Sequence, residues 1–331
     1  MNLKLITLTI ITTLTINATE SKAPTPPVPY DYLKKTEVKK FIDMMVKRNH
    51  FKRSYMEEVL SNAMFDKETL ERYTGKYKVG STNGSWERYK DHVLDPETIQ
   101  LAKEFKLNYY TTLKRAEDEY EVDMDYIVGF MGVESKYGTY TGNYRVLDSL
   151  ATLAFHKNRM KKFFKSEFKN LFLLMREENR DIYTQYGSFA GAMGAVQQVP
   201  SIQRRFMVDY NGDGVKDPWD LEDCIGVIAK FMHNKGWVKG AVVAVPTNFK
   251  GKRFTKLKTS HKKRYSVAYL KKKGIVPTEY YFGESKAYLL KTRNRNHDDI
   301  WMGGRNFRVL TKYNNSTSYG MAIHIIAQAV R

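Results

Sequence analysis

The sequence predicts a mainly helical chain of the α+β class with one small strand-containing region towards its end. Three observations predict this. Apolar residues recur at helical spacing through most of residues 36–233. The character turns β-prone only after Gly236-Trp237. The length of 331 residues suits about two domains of ~150 residues, and 42% apolar with 27% charged residues excludes a disordered chain.

Taken in order, the chain begins with Lys4 and then an apolar, Thr-rich run of 12 residues, Leu5 to Ile16. Ala18 or Ala23 can close a cleavage site, so residues 1–23 are expected to be a secretory signal peptide. The run is well short of the ~18 residues a membrane span needs. The single cysteine, Cys224, lies far from it, so no lipid attachment is expected there. One cysteine also excludes an intramolecular disulfide and a cysteine-built metal site. The mature protein is expected to be soluble and outside the cytoplasm. Pro24, Pro26, Pro27 and Pro29 form a stiff lead-in.

Thr36 can cap a helix carrying Phe41, Ile42, Met45 and Val46, and a second helix covers about Ser54 to Ala63. Residues 75–93, rich in Gly, Ser and Asn around Trp86 and Tyr89, read as a loop. Pro96 starts a helix through Leu101, Phe105, Tyr109 and Leu113. Residues 123–134 are mostly apolar, with Asp123 and Asp125 suited to the cap and first turn. Leu147 to Phe155, Ser166 to Glu178 and Leu221 to His233 also read as helices. Val242, Val243 and Val245, and later Tyr280-Tyr281-Phe282, mark residues 238–302 as a small strand-containing domain. Strand-like residues from Phe307 then lead into a helix around Met321 to Val330.

The net charge of +19 favours acidic partners: nucleic acid, anionic lipid or an anionic polymer. Eleven Lys or Arg fall between 250 and 273. That run lacks the aromatic interleaving of a stacking platform, so no nucleic acid is expected. The seven histidines show no metal spacing, and no phosphate loop occurs. Gly283-Glu284-Ser285-Lys286-Ala287 lacks the final glycine of a hydrolase elbow.

Three segments can carry chemistry. In Gly132-Val133-Glu134-Ser135-Lys136-Tyr137-Gly138, a carboxylate sits at the end of an apolar helix. The helix dipole and the apolar setting both disfavour its ionised form, which suits a general acid. Taken alone, the segment reads more plainly as a surface Glu at a helix end. The second segment, residues 187–201, opens with seven Gly, Ala or Ser in ten positions and holds Gln197, whose amide can donate and accept to sugar hydroxyls. Alone it does not exceed close helix packing. The third, residues 209–220, matches a calcium loop. Asp209, Asn211 and Asp213 supply oxygens at its first, third and fifth positions, followed by Gly214. The Val215 carbonyl, Asp217 and Asp220 complete the set, with Asp220 shorter than the usual Glu.

In this order and spacing the segments resemble the membrane-bound lytic murein transglycosylase B family, from about Thr36 to Val330. The carriers are Ile127 to Gly138, Arg145 to Phe155, Gly187 to Gly194 with Gln197 and Pro200-Ser201, and the calcium loop. Asn306-Phe307, Tyr313-Asn314 and Met321-Ala322 close the match. The resemblance implies a lysozyme-like helical core with an EF-hand-like calcium loop, a helical domain and a small inserted β domain. It divides the chain into an N-terminal helical domain (24–120), a catalytic core (121–237), the basic strand-containing domain (238–302) and a returning C-terminal segment (303–331).

It further implies non-hydrolytic cleavage of the β-1,4 bond between N-acetylmuramic acid and N-acetylglucosamine, leaving 1,6-anhydro ends. Glu134 falls on the catalytic acid and base, and Tyr89, Arg159, Ser188, Gln197, Tyr313, Asn314 and Tyr319 on saccharide-binding positions. The sequence departs from the family pattern at Met160, Phe163, Gln198 and Ile202, departures that bear on the neighbouring subsites and not on the acid. The expected setting is the periplasm, with peptidoglycan strands as partner, one structural calcium, no organic cofactor and a monomeric state. Cell-wall synthesis or division machinery is a further partner class. The rivals are a hydrolytic muramidase and a non-catalytic peptidoglycan-binding protein.

Overall fold

Local signals set many element boundaries. The computed structural model describes residues 26–75, 81–281 and 284–331, so the expected signal peptide lies outside the described residues. In chain order the helices are α1 (Thr36–Asn49), α2 (Arg53–Ser61), α3 (Lys67–Tyr73), α4 (Ser85–Val93), α5 (Pro96–Asn108), α6 (Tyr110–Tyr120) and α7 (Met124–Ser135). They continue as α8 (Val146–Phe155), α9 (Lys161–Glu177), α10 (Pro200–Phe206), α11 (Leu221–Asn234), α12 (Val267–Lys272), α13 (Arg305–Tyr313) and α14 (Thr317–Ala329). The strands are β1 (Val28–Pro29), β2 (Met64–Phe65), β3 (Tyr144–Arg145), β4 (Tyr186–Gly187), β5 (Ala244–Pro246), β6 (Ser260–Ser266), β7 (Lys286–Arg293) and β8 (Asp298–Gly303). Asp66 caps α3 through the Thr69 amide at 2.9 Å, and Asp95 caps α5 through the Thr98 amide at 2.9 Å with Pro96 in the first turn.

Two compact units emerge among the described residues: residues 81–137 with 221–331, and residues 26–75 with 138–220. In the first, α7 is buried along its whole face from Tyr126 to Ser135, as expected of a helix apolar all round. It packs on α14 at close range. A Cβ added at Gly129 would stand 2.6 Å from the Ile323 carbonyl oxygen, so only glycine permits this approach. An antiparallel sheet in the order β5-β8-β7-β6 completes the unit, with Leu270, Ala287, Leu289, Ile300 and Met302 buried in its own small core.

In the second unit α1, α8 and α9 enclose an aromatic core. The Phe155–Phe168 and Phe168–Phe172 ring pairs meet edge to face at 5.5 and 5.2 Å. β3 and β4 pair antiparallel at the start of the small-residue segment.

Several expectations are corrected. Ser85–Val93, within the predicted loop, is helix α4, because Trp86 buries against the unit and decides the conformation. The helix expected from Pro96 through Leu113 breaks at Tyr109 into α5 and α6. The strand-like stretch from Phe307 is helix α13, which buries Phe307, Val309 and Leu310 on one face. Thr36 is not a cap but the first residue of α1. Asp123 makes no side-chain cap bond at α7; its carboxylate accepts from Trp237 Nε1 at 2.7 Å instead. Tyr280 is 79% exposed and belongs to no strand. Among the described residues no helix is long and apolar enough to cross a membrane.

Candidate active site

Glu134 lies in the last turn of α7, where unpaired carbonyls disfavour a negative charge. The helix ends there in a left-handed cap. The Lys136 amide donates to the Gly132 carbonyl at 3.0 Å and the Tyr137 amide to the Met131 carbonyl at 3.1 Å. Lys136, Tyr137 and Gly138 follow one another at φ 49, 60 and 85°, so two non-glycine residues hold a strained conformation starting two positions after the acid.

The Glu134 side chain is buried, and that burial pushes its carboxyl from the ordinary 4.5 up to about 8. The Tyr319 hydroxyl donates a hydrogen bond to Oε1 and pulls the other way. Burial wins, so the carboxyl keeps its proton at neutral pH.

Tyr319 is placed by the start of α14, where the Ser316 hydroxyl oxygen accepts from the Tyr319 amide at 3.3 Å. Its ring runs parallel to that of Tyr313, the last residue of α13, with centroids 6.5 Å apart. Phe130 meets both rings edge-on, at 5.4 Å from Tyr313 and 6.1 Å from Tyr319. Asn314, between the two helices, is buried. Tyr89 on α4 is half-buried; burial and then the nearby Glu134 charge push its phenol well above the ordinary value. The first unit thus brings Glu134 and Tyr319 into contact, with Tyr313 beside Tyr319 and Tyr89 within the field of the acid.

The second unit holds the other expected residues. Ser188 Oγ accepts from the Ala192 amide at 3.1 Å and fixes the turn after β4. Gln197 sits at φ 48°, and its Nε2 donates to the Thr141 and Gly194 carbonyls at 2.8 and 3.0 Å. Its donor group therefore holds the loop, and its amide oxygen is what it can offer a ligand. Arg159 is exposed, with its guanidinium 5.6 Å from the Tyr73 ring centroid.

Nothing in the sequence pointed to the cluster that forms around Phe189. Phe189 stands 6.2 Å from both Tyr73 and Tyr144, with the Arg72 guanidinium 4.5 Å over its ring. No spacing in the sequence joins these four positions; only the fold does.

In the 209–220 loop, Gly212 and Gly214 take φ of 82 and 88°. Asp209 accepts from both of their amides, at 2.8 and 2.9 Å, while Asn211 and Asp213 accept from Asp213 and Val215 at 3.0 and 2.8 Å. Asp217 Oδ1 takes the Trp219 amide at 3.0 Å, and the Asp220 amide donates to the Asp217 carbonyl at 3.1 Å. Among the described residues no group of three or more His, Cys, Asp or Glu side chains is drawn together as a metal cluster. The loop is tied to the small-residue segment through backbone. Ala195 N–H donates to the Pro218 carbonyl at 2.7 Å, and a Cβ on Gly194 would lie 2.2 Å from that same oxygen.

A protonated carboxylic acid beside aromatic rings, on an α+β lysozyme-like scaffold, is the equipment of an enzyme that cleaves glycosidic bonds. The comparisons narrow this. The transglycosylase SLT domain family matches residues 34–328. The membrane-bound lytic murein transglycosylase B of Escherichia coli K12 is 35% identical over 306 residues, 91% of this chain and 84% of that protein. The E. coli lytic transglycosylase Slt35 in complex with bulgecin A superposes with a TM-score of 0.84 at 35% identity, over 92% of this chain and 95% of that one. Slt35 in complex with calcium superposes at 0.83, again at 35% identity over 92% and 95%. The chain belongs to the transglycosylase SLT family. Its activity is that of a lytic murein transglycosylase.

Proposed function

We propose that Glu134 is the single acid and base of this reaction. The observation that carries the proposal is a buried carboxyl, raised to about 8, that keeps one donor partner, Tyr319. The protonated carboxyl donates to the glycosidic oxygen, and that bond to C1 of the muramic residue breaks. The 2-acetamido oxygen stabilises the positive charge at C1, as in glycosidases that work without a second carboxylate. The Glu134 carboxylate then takes the proton of the C6 hydroxyl, whose oxygen closes on C1. No water enters, and the acid is regenerated. Tyr89 and Tyr313 offer ring faces to sugars, Tyr319 is buried and serves Glu134 through its hydroxyl, and Asn314, Ser188, Gln197 and Arg159 offer polar groups to hydroxyls, amides and carboxylates of peptidoglycan strands. Digestion of purified sacculi tests the reading: the products should be lighter than hydrolytic muropeptides by one water. Reducing ends would make this chain a muramidase.

The periplasm is the proposed setting, because peptidoglycan lies outside the cytoplasmic membrane. Calcium is proposed for the 209–220 loop. Its donors are all hard oxygens, the kind this cation prefers, and the loop already holds the two left-handed glycines. A bound cation would draw the Asp209, Asn211, Asp213, Asp217 and Asp220 side chains and the Val215 carbonyl together. Its role would be to brace Pro218 against Ala195 rather than to take part in chemistry. Millimolar calcium is expected to raise the melting temperature, and Asp209→Ala with Asp213→Ala to remove the gain. An unchanged curve between chelator and calcium marks the loop as a bare turn.

Lys262, Lys263, Lys271, Lys272 and Lys273 are all exposed. If they hold the enzyme on anionic wall polymer, salt screens the effect within ~8 Å at physiological ionic strength. Changing the five to Gln is then expected to weaken sacculus binding at low salt and flatten its salt dependence. Turnover of a short soluble muropeptide should stay at the wild-type value. Wild-type binding and salt slope in the variant would show a merely solvated face.

A further inference from the structure

The edge strand β6 leaves its ladder at one point. Ser260 pairs with Leu289, and the next pair is Arg264 with Tyr288, one step back along β7. Residues 261–263 are therefore inserted opposite nothing on β7. Such a bulge gives up ladder hydrogen bonds, and bulges commonly serve to re-aim a side chain. Here it aims His261 at the short connection between α13 and α14. His261 Nε2 is 2.9 Å from Asn315 Oδ1, and Nδ1 is 2.9 Å from Thr317 Oγ1. Asn315 Oδ1 can only accept, so Nε2 carries the proton, and Nδ1 accepts from the Thr317 hydroxyl.

The connection gripped in this way is three residues long, Asn314 to Ser316. It starts beside Tyr313, includes Asn314 and ends on the Ser316 cap of the helix that carries Tyr319. α14 itself is fixed independently by its close packing on α7 at Gly129. The mobile part without the imidazole would be the connection, not the helix.

We propose that His261 is a positioning residue for saccharide binding: it holds Asn314 and Tyr313 in their binding arrangement through Asn315. The proposal rests on the reading of Asn314 and Tyr313 as sugar-binding groups. His261 touches no reacting atom, so its removal should act on binding and spare the chemistry at Glu134.

The test is steady-state cleavage of a soluble tetrasaccharide of the glycan strand by the intact chain. His261→Ala is expected to raise KM about tenfold with kcat within about twofold, the size of one or two lost neutral hydrogen bonds. His261→Gln keeps an amide N–H near the position of Nε2 and is expected to restore KM to within about threefold; the shorter His261→Asn reaches only the Nδ1 position, leaves Asn315 without its donor and is expected to resemble Ala. A wild-type KM in the Ala variant overturns the proposal. So does a fall in kcat at unchanged KM, or a Gln variant no better than Ala. The product ends are read in the same digests. Reducing ends would count against the transglycosylase mechanism, while the KM pattern alone judges His261.

Discussion

Glu134→Gln is expected to lose cleavage of sacculi by about 100- to 10,000-fold, at the upper end because one group serves two proton transfers. The amide keeps the shape and the contact with Tyr319 but can neither donate nor accept the proton that moves. The fold should survive, and at alkaline pH it should gain. The wild-type carboxyl is protonated in the folded chain up to about 8 but ionises at the ordinary 4.5 when unfolded. Between those values the folded state binds the extra proton, so wild-type stability falls as pH rises, at up to about 1.4 kcal/mol per pH unit. Glu134→Gln removes that slope. Melting curves of both proteins from pH 4 to 9, run beside activity assays, check the pair of outcomes. Activity within a few-fold of wild type would remove Glu134 from the reaction.

Tyr319→Phe is the second large effect. The hydroxyl donates to Glu134 Oε1 and lowers its pKa against the pull of burial. Without it the carboxyl becomes a weaker acid, its rotamer is released, and its anion loses a partner in the second step. A hydrogen bond to an ionised group is worth about 1.5–3 kcal/mol, so kcat should fall roughly 10- to 100-fold. The alkaline limb of the kcat/KM profile, which reports the free enzyme, should move upward from about 8, because the group that pulled the pKa down is gone. The Phe ring keeps its face toward Tyr313, so KM should change little. A limb that stays in place or moves down would show that Tyr319 does not govern the acid.

The sequence already displayed the parts that depend on local chemistry. Pro96 after Asp95, the apolar run before Glu134 and the glycines of the 209–220 loop each act within a few residues of themselves. Helices α4 and α13 were hidden because their local signals pointed elsewhere. The turn residues Ser81, Asn83 and Gly84 lead straight into α4, and Val309 and Thr311 are β-branched, yet burial of Trp86, Phe307 and Leu310 decided the outcome.

The site divides in the same way. Glu134 stood out by its place at the end of an apolar helix, a setting that already pointed to a raised pKa, but its partner Tyr319 could not be read from that segment. Tyr319 is 185 positions away, and only the resemblance pointed to it. Tyr73 and Tyr144 met Phe189 through no pattern at all, and Gln197 gave its donor to the loop rather than to a ligand. Long-range packing creates such relations, and a sequence read segment by segment does not contain them.

Catalysis by Glu134 depends on one physical property: it is a buried acid that keeps its proton at neutral pH. A carbon-13 NMR titration of the glutamate carboxyls, with Glu134→Gln used to identify the signal, measures this directly. The Glu134 midpoint is expected near 8. A midpoint at the ordinary carboxylate value of 4.5 would contradict it.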